Sequence, residues 1–224
     1  MNSRPVGPAV DPSPAKPPGP VTLVGRFGRL ERLDVARHGH GLWQALRGHD
    51  ELWTYLFVGP FPDEAAFTAW LTTRAKDDSP YYFYTVVDRA EQAVGLIALL
   101  EIRPATRAIE VGHIVYSASL QRTPLATEAQ YLLARYAFET LGYRRYEWKC
   151  DSLNAPSRRA AARFGFTIEG IFRQHMIVKR RNRDTAWYSM LDGEWPVRKA
   201  AFERWLAPEN FDNEGRQKKK LGEA

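Results

Sequence analysis

The stretch from Glu110 to Gly142 constrains this chain more than any other. Residues 109–116 alternate as a strand does, with Ile109, Val111 and Val115 on one face and Glu110, Ile114 and Tyr116 on the other. A loop over 117–126 follows, in which Thr123-Pro124 reads as an N-cap with proline at the first helical position. Beyond it Ala129, Leu132, Leu133, Tyr136, Ala137 and Leu141 recur at helical spacing over Thr127 to Leu141, and Gly142 suits the C′ position. A strand that turns tightly into a helix N-terminus leaves backbone N–H groups pointing outward, and such groups hold phosphates. An ordinary strand–helix connection has the same pattern, so the choice between them rests on residues further along.

The 224 residues, with a hydrophobic share of 44% and an aromatic share of 12%, suit one domain with a substantial core. A formal charge of +6 favours an anionic ligand such as a nucleotide, CoA or RNA, and equally favours mere solubility. Cys150 is the only cysteine, which excludes an intramolecular disulfide and a thiolate metal cluster; no metal is expected. No run is long enough to span a bilayer and the first residues lack a signal-peptide core, so the expectation is a soluble cytoplasmic protein that does not engage membranes.

Residues 1–20 are rich in proline, glycine, alanine and serine and read as a flexible arm. A first strand with a bend covers Val21 to Leu33, and Asp34 caps a helix through Val35, Leu42, Trp43 and Leu46. After the breaker Gly59-Pro60-Phe61-Pro62, Asp63 caps a second helix whose stripe is Ala66, Phe67, Trp70 and Leu71. Strands follow at Tyr81 to Val87 and Ala93 to Ile102, the latter apolar enough to be covered on both faces. After Gly142 come a strand over 143–150, a short helix from Arg158 to Phe164 opened by Asn154-Ala155-Pro156-Ser157, and strands at Thr167 to Val178 and Thr185 to Leu191. Val197 to Leu206 forms a last amphipathic helix, and residues 209–224 read as a polar basic tail carrying Lys218-Lys219-Lys220. The domain proper is thus expected over 21–208, as a mixed α/β sheet flanked by helices.

Four segments together resemble the GNAT superfamily of acyl-CoA N-acyltransferases, and within it the branch of ribosomal-protein N-terminal acetyltransferases. They are Glu110-Val111-Gly112-His113, Gln121 to Glu128, Asn154-Ala155-Pro156-Ser157 leading to Arg163-Phe164-Gly165-Phe166, and Glu169-Gly170 with Asn182-Arg183-Asp184. The resemblance covers about Val21 to Trp195. It implies a mostly antiparallel central sheet that splays at the CoA-binding strand pair. Acetyl-CoA, or a related acyl-CoA, is then the co-substrate. The family loop has glycine where this chain has Pro124, which cannot give an N–H to a pyrophosphate. Gln121, Arg122, Thr123, Leu125, Ala126 and Thr127 are nonetheless expected to bind the cofactor. The N–H groups of Leu125, Ala126 and Thr127 are taken as unpaired, and Arg122 adds charge.

The resemblance also places the acyl carbonyl near the backbone of Ile114 and Val115, opposite Tyr146-Glu147-Trp148, where an N–H can stabilise the oxyanion. Ser157 matches the hydroxyl position beside the CoA sulfur, and its competing role is to cap the helix that follows. Asn154 matches a pantetheine contact, or is a turn residue. For the general base, Glu110 and His175 stand ahead of His113, while Glu169 on the Glu-Gly motif either assists or orders its strand. Trp53, Tyr55, Tyr116 and Trp187 either line an acceptor pocket or fill the core.

The reading that follows is N-acetyl transfer to a primary amine, on a protein N-terminus or a small molecule, by direct attack in a ternary complex. No serine or cysteine is placed as an obligate nucleophile. A longer donor such as succinyl-CoA, selected by Arg173 or another arginine, is the alternative within enzymes. A CoA-binding or RNA-associated module with little turnover is the alternative outside them; nucleic acid is otherwise not an expected partner, though the basic tail leaves it open. The Arg173 to Arg183 cluster suits an acidic acceptor, RNA or a solvated hairpin. Cationic acceptors such as polyamines require Glu51, Asp63 and Glu64 to cluster. Phe202 and Trp205 cover the sheet of a monomer or meet a partner in a homodimer.

Overall fold

The protein is described from a computed structural model over residues 4–223. Its eight strands are β1 (Leu23–Val24), β2 (Gly28–Arg32), β3 (Tyr82–Asp88), β4 (Ala93–Arg103), β5 (Ala108–Tyr116), β6 (Arg145–Asp151), β7 (Thr167–Val178) and β8 (Arg181–Leu191). They form one sheet in the order β1-β2-β3-β4-β5-β6-β8-β7. Every neighbouring pair is antiparallel except β5 and β6, which run parallel. A parallel pair cannot be closed by a hairpin and needs a crossover, which α3 (Pro124–Arg135) supplies.

Short polar side chains start the helices as the sequence indicates. Asp34 accepts from Arg37 N at 3.1 Å to open α1 (Val35–Leu46), and Asp63 accepts from Ala66 N at 2.8 Å to open α2 (Glu64–Arg74). The key helix begins earlier than its apolar periodicity suggests, at Pro124, and ends in a π-helical turn over Tyr136–Thr140 before Gly142 at φ 79°. The short helix α4 (Ala155–Arg163) also starts earlier than expected. Its cap is Asn154, which accepts from Ser157 N at 3.1 Å, so the capping role considered for Ser157 falls to its neighbour. A fifth helix, α5 (Trp195–Leu206), follows β8.

Helices cover the sheet on both faces. Leu42, Leu46, Phe67, Trp70 and Leu71 of α1 and α2 pack with Leu96 and Ala98 on one side. On the other, Leu132, Leu133, Phe202 and Trp205 of α3 and α5 pack with Ile97 and Leu99. Strand β4 feeds both cores, which accounts for its unbroken apolar run.

Strand β5 does not keep the alternation its sequence implies. Gly112 pairs with Ala98 and Val115 with Leu96, so two residues of β5 oppose one of β4. This bulge sits at His113, whose φ is 46°. The extra residue reverses the parity beyond it: Ile109 and Val111 join the α3–α5 core, whereas Val115 joins the α1–α2 core and Ile114 and Tyr116 pack on the opposite side. Placing Val115 on the face of Ile109 and Val111 was therefore incorrect.

The segments outside 21–208 are also packed in part. In the amino-terminal arm Ala15 is buried, and the N–H groups of Ala15 and Lys16 donate to Pro104 O and Leu141 O. At the other end Leu221 is buried, Gln217 accepts from Trp205 Nε1 at 2.8 Å, and Asn210 holds Lys219 N at 2.9 Å. A polar tail whose few apolar and amide groups find partners folds back instead of standing free. Among the described residues no helix is long and apolar enough to cross a membrane.

Candidate active site

The register of β5 with β6 runs from Ala108 opposite Arg145 to Val111 opposite Trp148 and goes no further. Beyond that point β5 turns at its bulge, while β6 stays paired with β8 as far as Asp151 opposite Thr185. The gap between the diverging strands opens into a cleft of about 1370 Å³ that passes through the sheet. One mouth lies against α3 and α4, where Gln121, Arg122, Thr123, Ala126, Thr127 and Asn154 line it. The opposite mouth lies on the α1–α2 side, bounded by Tyr55, Phe57, Tyr81, Glu110 and His113, with His175 and Trp187 from the last hairpin.

The α3 mouth contains fewer free backbone donors than the sequence predicts. Ala126 N is taken by the Thr123 hydroxyl at 3.2 Å, Thr123 N donates to Leu120 O, and Gln121 N donates to Ser117 O. Gln121 turns its amide to Tyr116 O at 2.9 Å, which fastens the loop to the end of β5. Leu125 does not line the cleft; its side chain is buried in the α3–α5 core. Thr127 accepts from Arg163 at 3.1 Å, through its hydroxyl instead of giving its N–H.

Side-chain charge replaces the missing backbone donors. Arg122, Arg159, Arg163 and Arg216 all border this mouth. Arg159 and Arg163 stand one turn apart on α4, a spacing visible in the sequence as a basic i, i+4 pair. Arg216 arrives from the carboxy-terminal segment and had no such signal. Gln130, 3% exposed on the same wall, donates to Tyr116 Oη at 3.1 Å and leaves its Oε1 without a partner. A buried amide oxygen that lacks a donor, beside a cluster of arginines, fits a ligand with amide N–H groups and phosphates. Acyl-CoA has both.

At the waist, Ser157 Oγ accepts from Trp148 Nε1 at 3.0 Å, so its own hydroxyl proton points elsewhere, with the Cys150 sulfur as its neighbour in the protein. Cys150 lies beside it, and burial pushes its thiol pKa up, so it is a neutral thiol and a poor nucleophile. Ile114 and Val115 border the cleft on the opposite strand.

At the α1–α2 mouth Glu110 is 6% exposed and accepts from Lys149 Nζ at 2.6 Å. Burial pushes its carboxyl up to about 7, against the pull of Lys149. Lys149 also bonds to Glu147 at 3.0 Å and lies 4.1 Å from the centroid of the Trp187 ring. His113 is enclosed by the rings of Phe57, Tyr81 and Phe83, and burial holds it down to about 4, so it is neutral at physiological pH. His175 Nδ1 lies 3.0 Å from Thr185 Oγ1, and that oxygen already accepts from Arg183 Nε at 3.2 Å.

Several other expectations separate here. Tyr55, Tyr116 and Trp187 border the cleft, but Trp53 packs against Phe61, Phe67 and Trp70 in the core. Glu169 is outside the site, paired with Arg145 and accepting from Ser189; Arg145 holds its carboxyl down to about 2. Glu51 pairs with His49, Asp63 caps α2 and Glu64 pairs with His40, so these carboxylates do not line the cleft. Phe202 and Trp205 are buried within the chain, which removes them from any exposed contact face. Among the described residues no group of three or more His, Cys, Asp or Glu is arranged to hold a metal ion.

Comparison with known proteins agrees with this geometry. A GCN5-related N-acetyltransferase from Brucella melitensis superposes with a TM-score of 0.91 at 49% identity, covering 94% of this chain and 96% of that one. A GNAT-family chain from Chromobacterium violaceum gives a TM-score of 0.78 at 46% identity over 87% of this chain and 100% of that one. A Bacillus subtilis protein, YdaF, named as a candidate ribosomal N-acetyltransferase, is 31% identical over 101 residues; the match spans 45% of this chain and 55% of the length of YdaF. Residues 30–167 match the Acetyltransferase (GNAT) domain family, and with more than half of its 224 residues inside that match the chain belongs to the GNAT family.

Proposed function

We propose that the protein is an N-acetyltransferase, which moves the acetyl group of acetyl-CoA to a primary amine by direct attack while both substrates are bound. The observation that carries this reading is the cleft through the sheet, with arginines and an orphaned amide acceptor at one mouth and a buried carboxylate at the other. Acetyl-CoA supplies an acyl group already activated as a thioester. Its phosphates would rest against Arg122, Arg159 and Arg163 and the N–H of Leu125, and its amide-bearing arm would pass Asn154 and Gln130. The relative named for ribosomal N-acetylation makes a protein N-terminus the first acceptor to try, in the cytoplasm.

The chain's own groups divide the work. Backbone N–H at Ile114 or Val115 meets the charge that builds on the carbonyl oxygen. The amine lone pair forms the new C–N bond as the C–S bond breaks, and the Ser157 hydroxyl donates a hydrogen bond to the departing thiolate, which takes its proton from solvent as the CoA thiol is released. The proton lost by the amine passes to Glu110, through one water. Glu110 fits this role better than His175: it is buried at the mouth beside Lys149, whereas His175 Nδ1 is engaged with Thr185 Oγ1. Glu110 must be ionised to act, so the rate should rise with pH through about 7 and then level off.

Thermal stability with free CoA, acetyl-CoA, propionyl-CoA and succinyl-CoA tests the first half. A ligand at about 100 times its Kd adds roughly 2.7 kcal/mol, which is readily seen. Release of the CoA thiol in the presence of amine-terminal peptides tests the second. Absence of any stabilisation would overturn the reading, and stabilisation without acyl transfer to any amine would reduce it to a CoA-binding module.

A further inference from the structure

The basic hairpin of β7 and β8 contains one arginine unlike its neighbours. Arg173, Arg180 and Arg181 are exposed, whereas Arg183 is 6% exposed and borders the cleft. Its guanidinium carbon lies 4.9 Å from the centroid of the Phe57 ring, and Nε donates to Thr185 Oγ1 at 3.2 Å. Thr185 is itself 1% exposed. Among the described residues no carboxylate lies within ion-pair distance of Arg183. Glu110, on the same wall, is occupied by Lys149 at 2.6 Å, and Asp151 turns one carboxylate oxygen to Leu153 N at 2.9 Å. Lys179, at the tip of the same hairpin, donates to Trp53 O at 2.7 Å.

A guanidinium withdrawn from water needs a counter-charge or hydrogen-bond acceptors for its whole fork. Here the protein satisfies Nε alone, and the two terminal nitrogens, which are not among the fully buried polar atoms, have no protein acceptor and open to the cleft. Arginine offers those nitrogens in the geometry that matches a carboxylate. We infer that Arg183 is a receptor for a carboxylate of the substrate pair. This assignment rests on the transferase reading. The carboxylate belongs either to the amine acceptor, as an acidic side chain next to the reacting amine, or to a dicarboxylic acyl chain on the donor.

Matched pairs separate the two sources. For the acceptor, the peptide amides Ala-Glu-Ala and Ala-Gln-Ala differ only in charge and are compared by kcat/KM with acetyl-CoA. For the donor, succinyl-CoA and butyryl-CoA are compared by titration calorimetry. One arm should favour the anionic member by about tenfold, the size of a charge-assisted hydrogen bond. That preference should collapse in Arg183→Gln, be partly kept in Arg183→Lys, and leave the affinity for free CoA within about twofold in both variants; retained CoA binding also certifies the fold. Equal handling of both members in both arms by the wild type, with CoA bound normally, would overturn this inference and leave the transferase reading intact. Failure of the wild type to bind CoA would overturn that reading instead.

Discussion

The two mouths of the cleft are built in opposite ways. The α3 mouth is made chiefly of neighbours in sequence: β5, its loop and α3 follow one another, and α4 opens directly after β6, with the carboxy-terminal segment around Arg216 added from far along the chain. Its geometry is fixed by local caps, Thr123 to Ala126 N and Asn154 to Ser157 N. The α1–α2 mouth is assembled from distant pieces. Tyr55 Oη donates to Leu153 O across 98 residues, Lys179 Nζ donates to Trp53 O across 126, and Arg183 lies over Phe57. On the proposed reading, local hydrogen bonds shape the mouth that takes a general feature of the CoA ligand, its phosphates and amides. Long-range contacts shape the mouth proposed to meet a particular amine. A chain can therefore alter the second by changing surface loops without disturbing the first.

The sharpest test of this division is Glu110→Gln. It removes the proposed base at one mouth and keeps the shape, so kcat should fall about 100-fold or more while the Kd for CoA stays within about twofold. The ascending limb near pH 7 should vanish from the residual rate. The same substitution changes stability with a defined sign. A carboxyl whose folded pKa is raised from 4.5 to about 7 contributes stability that is complete below 4.5 and lost as pH rises through about 7. Glu110→Gln should therefore flatten the decline in Tm between those pH values. A CoA affinity that falls in step with kcat would show that the two mouths are one site.

The reverse test follows at the other end. Arg159 is exposed on α4, so Arg159→Gln should leave the Tm unchanged. It should raise the Kd for CoA by about three- to tenfold at low salt and less at high salt, because the charge is screened there. The acceptor KM should not move. An equal rise in both constants would break the comparison.

These differences also explain what the sequence could convey. Caps at Asp34, Asp63 and Thr123, the apolar run of β4 and the motif order are local or periodic signals, and they led to the right elements. Val115 was misplaced because a bulge adds one residue without changing composition, and parity then reverses silently. The N–H of Ala126 was counted as free although the residue that marks the helix start, Thr123, is the one that consumes it. Arg183 was one arginine among several in a basic hairpin; only the fold distinguishes the buried one. Arg216 and Leu221 lay in a segment too polar to suggest a core, and their places depend on partners such as Trp205 that are themselves fixed by α5.

A smaller effect comes from the cap itself. Thr123→Ala should cost about 1 kcal/mol of stability by leaving Ala126 N without its acceptor. That N–H then becomes available to a phosphate, so the loss of stability measured by denaturation should shrink when CoA is present at saturation. A loss that grows with CoA would mean that the threonine hydroxyl contacts the ligand directly.

The smallest expected change is the one that isolates the assembled mouth. Lys179 has φ 48° at the tip of the hairpin, and its ammonium ties that tip to Trp53 O at 2.7 Å. Trp53 is held from the other side by Phe61, Phe67 and Trp70, so the tie anchors the exposed hairpin tip to a packed core rather than to another loop. Lys179→Met keeps the stem and removes the donor. Without that bond the hairpin is free to widen against the 50–57 segment, which lowers the fraction of molecules whose acceptor wall is closed. The acceptor KM should rise about threefold, the cost of one part-buried hydrogen bond, with the CoA Kd unchanged. A shift in CoA affinity of the same size would mean that the hairpin positions both substrates, and the long-range contacts would then govern the whole cleft.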